Sequence, residues 1–300
     1  MRIFRDFESY NAYVGLPEPL DNNIDIGFYD AKKIRLHSEP VMVDFYRVSI
    51  KSNFIDKNSP DYNPDNPKPI TGVFFNSPER PGSWNIQPSF NGIYLQLSKK
   101  LIEEHRFLFK HYLDYGEHEA LYLTQKEEQE IRTIFDLMLK HYNSSRDNYD
   151  VLLSYVHVLI SLVEEFYNRQ FSAHPKKYNH ILSDFQQHLK DYYSQPRNQL
   201  PTVQYFANKL RLTPNYLGDI IKHLTHKSAI ETIHDFVIKK SKELLEERND
   251  LNNSEIAYEL GFEYPNYFAK FFRKHLNLTP KEYRKKFQSA KQVTKTIEAL

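Results

Sequence analysis

The sequence predicts an α+β chain. An N-terminal small antiparallel β-sandwich or barrel with a helical hairpin precedes an all-α half of two helix-turn-helix units. Three observations carry this. Residues 30–98 hold short aromatic and β-branched runs separated by Pro, Gly and Asn. From residue 99 the apolar period becomes helical. One string, P-N-Y-(Leu/Phe)-x-x-(Ile/Phe)-(Ile/Phe)-(Lys/Arg), occurs twice, at 214–222 and 265–273, 51 residues apart.

Composition bounds the rest. Three hundred residues suit about two domains. Hydrophobic content is 40%, with 22 Tyr and 21 Phe, enough to bury a core. The absence of cysteine excludes disulfides, thiolate metal sites and thiol nucleophiles, and fits a reducing cytoplasm. The N-terminus, MRIFRDFESY, carries charges where a signal peptide needs an apolar run. The most apolar stretch, 151–166, is broken by Ser154, His157 and Ser161, so no membrane span is expected. The net charge of +1 hides an asymmetry: 19 basic against 25 acidic residues over 1–174, and 21 against 14 over 175–300. A basic half joined to an acidic one suggests a polyanionic partner for the C-terminal half.

Within 1–174, MVDFYRVSI (42–50), GVFFNS (72–77) and NGIYLQLS (91–98) read as strands, giving a β part over about 30–98. The four prolines of 58–72 mark an exposed loop. Helices are expected over about 99–170: at 99–113, 126–142 and 148–169. The stretch 143–148 reads as the turn of a helical hairpin, and a domain boundary falls near 171–177, at Pro175.

From 178 onward everything reads as helix. In the first copy of the repeat, Thr213 suits an N-cap and Pro214 the first helical position. Leu217, Ile220 and Ile221 face inward and Lys222 outward. The preceding segment has Val203, Phe206, Ala207 and Leu210 on one face. In the second copy, Asn252 with Glu255 forms a capping box, Gly261 sits where a positive φ is needed, and Phe268, Phe271 and Phe272 face inward. Ala207 and Ala257 are matched and small enough for close helix crossing. Each unit, about 202–225 and 252–276, fits a helix-turn-helix whose second helix can enter a major groove. Residues 228–246 form a linker helix with Ile230, Ile233, Val237 and Leu244 as its apolar stripe. At roughly 1.5 Å per residue it spans about 28 Å. Successive major-groove segments on one face of DNA lie about 34 Å apart. The pattern alone also suits a protein-binding solenoid.

The string I-A-x-x-x-G-F-x-x-x-x-Y-F-x-x-x-F-(Lys/Arg)-K, then T-P-x-x-Y-R, spans Ile256 to Arg284. With the first unit it closely resembles the DNA-binding domain of AraC/XylS-type transcription regulators, over roughly 178–287. The resemblance implies two helix-turn-helix units, a bipartite DNA site, and transcription control in a bacterium, with RNA polymerase as a further partner. It brings Thr213, Asn215, Tyr216, Gly218, Asp219 and Lys222 of the first unit to DNA. From the second it brings Pro265, Asn266, Tyr267, Lys270, Arg273 and Lys274. The chain departs from the family's pattern at Asp219, where Arg is usual, at Gly218, usually polar, and at Val237, usually Arg. Asp can accept from cytosine N4 but repels phosphate; Asn can pair adenine and Lys can reach guanine. The second unit is therefore expected to carry more of the binding energy. Tyr264, before Pro265, is a poor cap.

More loosely, FFNSPERPGSW (74–84) resembles the cupin-like sensory domains of such regulators, which bind a small effector or only dimerise, and this implies a cupin-like barrel for the β part. Helices 126–169 would then form a homodimer, or else an intramolecular lid. Phe45, Phe75, Trp84 and Tyr94 could line an effector pocket or form core. No catalytic signature is present. A metal-dependent cupin needs two or three His with a carboxylate, whereas the strands offer only His37 beside Glu39. His105, His111 and His118 are spaced by six and seven, not by the four of a helical ligand pair. No cofactor or metal is expected. The rivals to DNA reading are a helical protein-interaction adaptor and a cupin enzyme with an appended regulatory domain.

Overall fold

The computed structural model describes residues 1–86, 90–109, 111–116, 119–144, 149–194 and 199–298. They cluster into two compact units, Met1–Tyr178 and Asn179–Leu300. His118 and residues 145–148 of the expected turn lie outside the described residues, while Asn143 and Ser144 of that turn are helical instead.

Among the described residues the first unit holds two sheets. The larger is antiparallel and ordered β2 (Ile24–Tyr29), β7 (Asn91–Ser98), β4 (Phe45–Phe54), β5 (Ile70–Asn76), β8 (Leu121–Leu123). The smaller is ordered β1 (Arg2–Phe4), β3 (His37–Val43), β6 (Gly82–Asn85). Two expectations change here. The run 42–50 is not one strand: it breaks at Asp44, whose N–H bonds to Phe4 O, and its halves serve different sheets. The arrangement is also not purely antiparallel, since β1 pairs with β3 in parallel, Arg2 opposite Val41 and Phe4 opposite Val43. A bulge between Ser38 and Val41 accommodates Pro40, which has no N–H to give a ladder.

The core follows from spacing. In α1 (Phe7–Val14), capped by Asp6, residues Phe7, Tyr10 and Val14 recur on one face and are buried. The Phe45 ring meets Phe7 edge-on at 4.8 Å and Tyr10 at 5.6 Å. Segment 99–113 is helical only over α2 (Lys99–Glu104); two 3-10 turns follow, at Arg106–Leu108 and His111–Asp114. Phe107, Phe109, Tyr112 and Tyr115 crowd this stretch, and aromatics are weak helix formers. Tyr112 and Tyr115 instead bury their rings against Tyr167. Helices α3 (Gln125–Ser144) and α4 (Tyr149–Ala173) pack together. Arg169 ties them, donating to both carboxylate oxygens of Glu127 and to Tyr122 O.

A buried polar knot joins the layers. Asp25, 2% exposed, accepts from Asn11 Nδ2 and Gln96 Nε2, both at 2.8 Å, and from the Tyr142 hydroxyl at 2.9 Å. One carboxylate thus connects α1, β2, β7 and α3. Burial holds the Asp25 carboxyl above its ordinary range, against the hydrogen bonds from Asn11, Tyr142 and Gln96 that favour the charged form.

The second unit is helical: α5 (Pro175–Tyr192), which begins within the first unit, then α6 (Val203–Leu210), α7 (Pro214–Thr225), α8 (Ala229–Glu247), α9 (Asn253–Glu259), α10 (Pro265–Leu276) and α11 (Pro280–Glu298). Pro175 opens a helix rather than only closing one. One apolar cluster runs through it, including Phe206, Ala207, Leu217, Ile233, Val237, Ala257, Phe268 and Phe272. Ile230 does not join the stripe of α8 and is 43% exposed; Ala229, Ile233, Val237, Ser241 and Leu244 are its buried face. The T-P-x-x-Y-R string proves structural. Thr279 and Glu282 exchange hydrogen bonds as a capping box. The Tyr283 hydroxyl donates to Glu246, and Arg284 donates to Leu245 O and Leu251 O. These bonds fasten α11 to α8.

Two predictions follow from these packings. A folded carboxyl held above its unfolded value adds stability below the ordinary Asp value of about 3.9 and loses it as pH rises through the folded value. In urea unfolding, wild-type stability should therefore fall relative to Asp25→Asn as pH rises above about 4; the opposite slope refutes the assignment. At Gly261, φ is +88° and an added Cβ would stand 2.3 Å from Gln199 O. Gly261→Ala should cost about 2–4 kcal/mol of stability by chemical denaturation, through left-handed strain and this clash.

Candidate nucleic-acid interface

The two copies are built alike up to the turn. In the first unit α6 ends with Arg211 left-handed at φ 58°, and the Leu212 N–H bonds to Ala207 O. In the second α9 ends at Leu260, Gly261 is left-handed, and the Phe262 N–H bonds to Ala257 O. These positions lie 50 residues apart, whereas Pro214 and Pro265 lie 51 apart. The second turn is therefore one residue longer.

The caps differ accordingly. Thr213 Oγ1 accepts from the Tyr216 N–H at 3.2 Å, and Asn252 with Glu255 forms the expected capping box before α9. Tyr264 makes no side-chain cap hydrogen bond. Ser228 with Glu231 caps α8 by a further box.

Of the first-unit residues, Asn215, Gly218 and Asp219 are half-buried and Lys222 is exposed, all on one outward stripe of α7. Thr213 and Tyr216 are not on that surface: they are 4% and 3% exposed, one as the cap and the other in the packing. In α10, Asn266, Tyr267, Lys270, Arg273 and Lys274 are all exposed and Pro265 is half-buried. Tyr267, matched to Tyr216, is 54% exposed. No acidic residue occurs from Pro265 to Leu276. Beside α10, His234 of α8 lies 5.4 Å from His275; burial first, then the His275 and Lys274 charges, hold its imidazole below the usual value. Tyr258 and Tyr264 are exposed aromatics that spacing did not single out. The signal was there: Tyr258 lies on the face of α9 opposite Ile256 and Ala257.

The effector candidates are mostly core. Phe45, Phe75 and Tyr94 are buried. Trp84 is half-buried, its Nε1 donating to Arg35 O at 2.8 Å. Phe75 and Trp84 border a cavity of about 30 Å³ with Tyr10, Tyr29 and Arg47, room for water and little more. An open cleft of about 430 Å³, lined by Lys51, Phe54, Phe74 and Trp84, adjoins it. Among the described residues no group of three or more His, Asp or Glu could hold a metal ion, and no helix is long and apolar enough to cross a membrane.

Residues 206–286 match the family described as a helix-turn-helix domain. Over 90 residues, 30% of the chain, the sequence is 34% identical to histidine kinase P4 of Formosa agariphila, covering 6% of that protein. Over 78 residues, 26% of the chain, it is 35% identical to the transcriptional regulatory protein YesN of Bacillus subtilis, covering 21% of it. The chain thus spans less than a quarter of either relative's length. The C-terminal domain of AraT, a response regulator from Geobacillus stearothermophilus, is 28% identical over 35% of this chain and 84% of that one, with a TM-score of 0.32. Segment 206–286 of the chain belongs to the helix-turn-helix domains of the AraC type.

Proposed function

We propose that the protein is a sequence-specific DNA-binding transcription regulator, with α7 and α10 reading two adjacent major-groove segments. The observation that carries this is the paired outward stripes: two helices that each open on proline, fixed on one shared core, each present polar or cationic side chains to solvent. The helix α8 between them, 19 residues and about 28 Å long, suits adjacent groove segments about 34 Å apart. Lys270 would read guanine, Asn215 and Asn266 adenine, while Arg273 and Lys274 contact phosphate. Thr213 and Tyr216 serve by holding α7. The N-terminal unit would modulate binding through self-association along α3 and α4, where Val151 and Val158 are exposed, or through an effector in the cleft beside Trp84. Asp219, which repels phosphate, favours a second reading: an adaptor that keeps the fold without specific DNA binding.

Selection of random duplex DNA by the full chain decides between them. It should enrich two short motifs about one helical turn apart; weak, uniform binding supports the adaptor. On the enriched duplex, Lys270→Ala should weaken binding about tenfold and Asn215→Ala less. The reverse ranking would show that the first unit dominates. Raising salt from about 50 to 200 mM should weaken wild-type binding by orders of magnitude, and Arg273→Ala should flatten that dependence.

A further inference from the structure

We infer that Gly218 sets how closely the first reading helix approaches DNA, so that its short polar side chains can reach base edges. This rests on the DNA-reading function proposed above. Gly218 lies at the centre of the outward stripe formed by Asn215, Gly218, Asp219 and Lys222, while Leu217, Ile220 and Ile221 turn into the core.

Nothing in the fold requires a glycine there. The residue is inside a 12-residue helix and is not among the glycines with positive φ. A Cβ placed on it would meet no atom within 4 Å. The repeat supplies an internal control. Ala269 occupies the matching place in α10, so this helix position accepts a methyl group. A glycine inside a helix lowers stability relative to alanine. The first unit therefore gives up helix stability at a site where the fold gains no contact from doing so.

What it gains is an open strip on its outer face. An α-helix with side chains is about 10–12 Å across, and the major groove is about 12 Å wide and 8.5 Å deep. A bare strip lets the groove floor come nearer the backbone. The flanking readers, Asn215 and Asp219, are short, and only a close helix brings them within hydrogen-bond distance of bases. In α10 Asn266 matches Asn215 and is as short, but the place of Asp219 is taken by Lys270, long enough to work from further out. The two helices then differ in the depth at which that position reads.

The test is Gly218→Ala in the full chain, with Ala269→Gly as its reciprocal. Melting temperature and affinity are measured on the duplex selected by the wild type. A second duplex is scrambled at the half-site where Asn215→Ala alters base preference. Gly218→Ala should raise the unfolding midpoint by about 2–5 °C. It should also weaken binding to the selected duplex about tenfold, the scale of one lost base contact. The scrambled duplex should be bound equally by both proteins. Ala269→Gly should lower the midpoint and leave base preference intact. A raised midpoint with unchanged affinity overturns the inference while the DNA-reading function stands. A lowered midpoint for Gly218→Ala overturns it by giving the glycine a role in folding. A wild type that selects no duplex overturns the DNA-reading function, and the inference with it.

Discussion

The second unit depends on one continuous apolar cluster. It takes Phe206, Ala207, Leu217 and Ile221 from the first helix-turn-helix, Ile256, Ala257, Phe268 and Phe272 from the second, and Ile233 and Val237 from the helix between. Close-packed interiors transmit strain and tolerate little change in volume. Ala207 and Ala257, both fully buried, are small enough for the paired helices to cross closely. The polar clamps lie at its edge, where the Tyr283 ring packs against Phe272 at 5.5 Å. Tyr283 and Arg284 can reach Glu246, Leu245 O and Leu251 O only because α8 is already held. Helices α7 and α10 are thereby parts of one packed body, which the proposed bipartite reading needs.

The repeat is faithful in its core and unfaithful at its surface. The left-handed residue at the end of the first helix and the bond from the following N–H recur at equal spacing. The turn then differs by one residue, and the settings of the following helices differ with it. Tyr216 is buried where Tyr267 is exposed, and Thr213 caps its helix where Tyr264 does not. Selection on packing and on surface chemistry would leave this signature, since the core admits few alternatives and an exposed stripe admits many.

This division also explains what could be read without a structure. Caps, the Gly261 turn and the inward residues of α7 are local chemistry, decided within four or five residues, and they stand as expected. The strand break at Asp44 was not legible, because alternation runs unbroken across it and only pairing with distant β1 reveals the corner. The parallel pairing of β1 with β3 is equally non-local. Tyr216 was assigned to DNA by the resemblance, although its spacing from Ile220 puts it on the buried face; Ile230 was misplaced for a simpler reason. Helical spacing gives the direction of a side chain, whereas burial depends on which neighbouring helix reaches it. On α7 and α10 the resemblance pointed to Asn215, Asp219, Lys270 and their neighbours, whereas Tyr258 was missed although it lies opposite the inward face of α9, and Tyr264 was noted only as a poor cap.

Charge separates the two helices further. Cations in a last helical turn are favoured by the macrodipole whatever the helix touches. Lys222 and His223 in α7, and Arg273, Lys274 and His275 in α10, meet that condition, so their presence in both copies says little about DNA. The informative pair is Asp219 and Lys270, which occupy matching mid-helix positions with opposite charge. Neither is placed to serve a helix terminus. On the proposed function, Asp219 can only accept, as from cytosine N4, and Lys270 can only donate, as to guanine O6 or N7. Two helices of common design would then demand opposite patterns from the same groove edge. Such a protein has no reason to bind a repeated or symmetric sequence, and its two half-sites must be read in a fixed order.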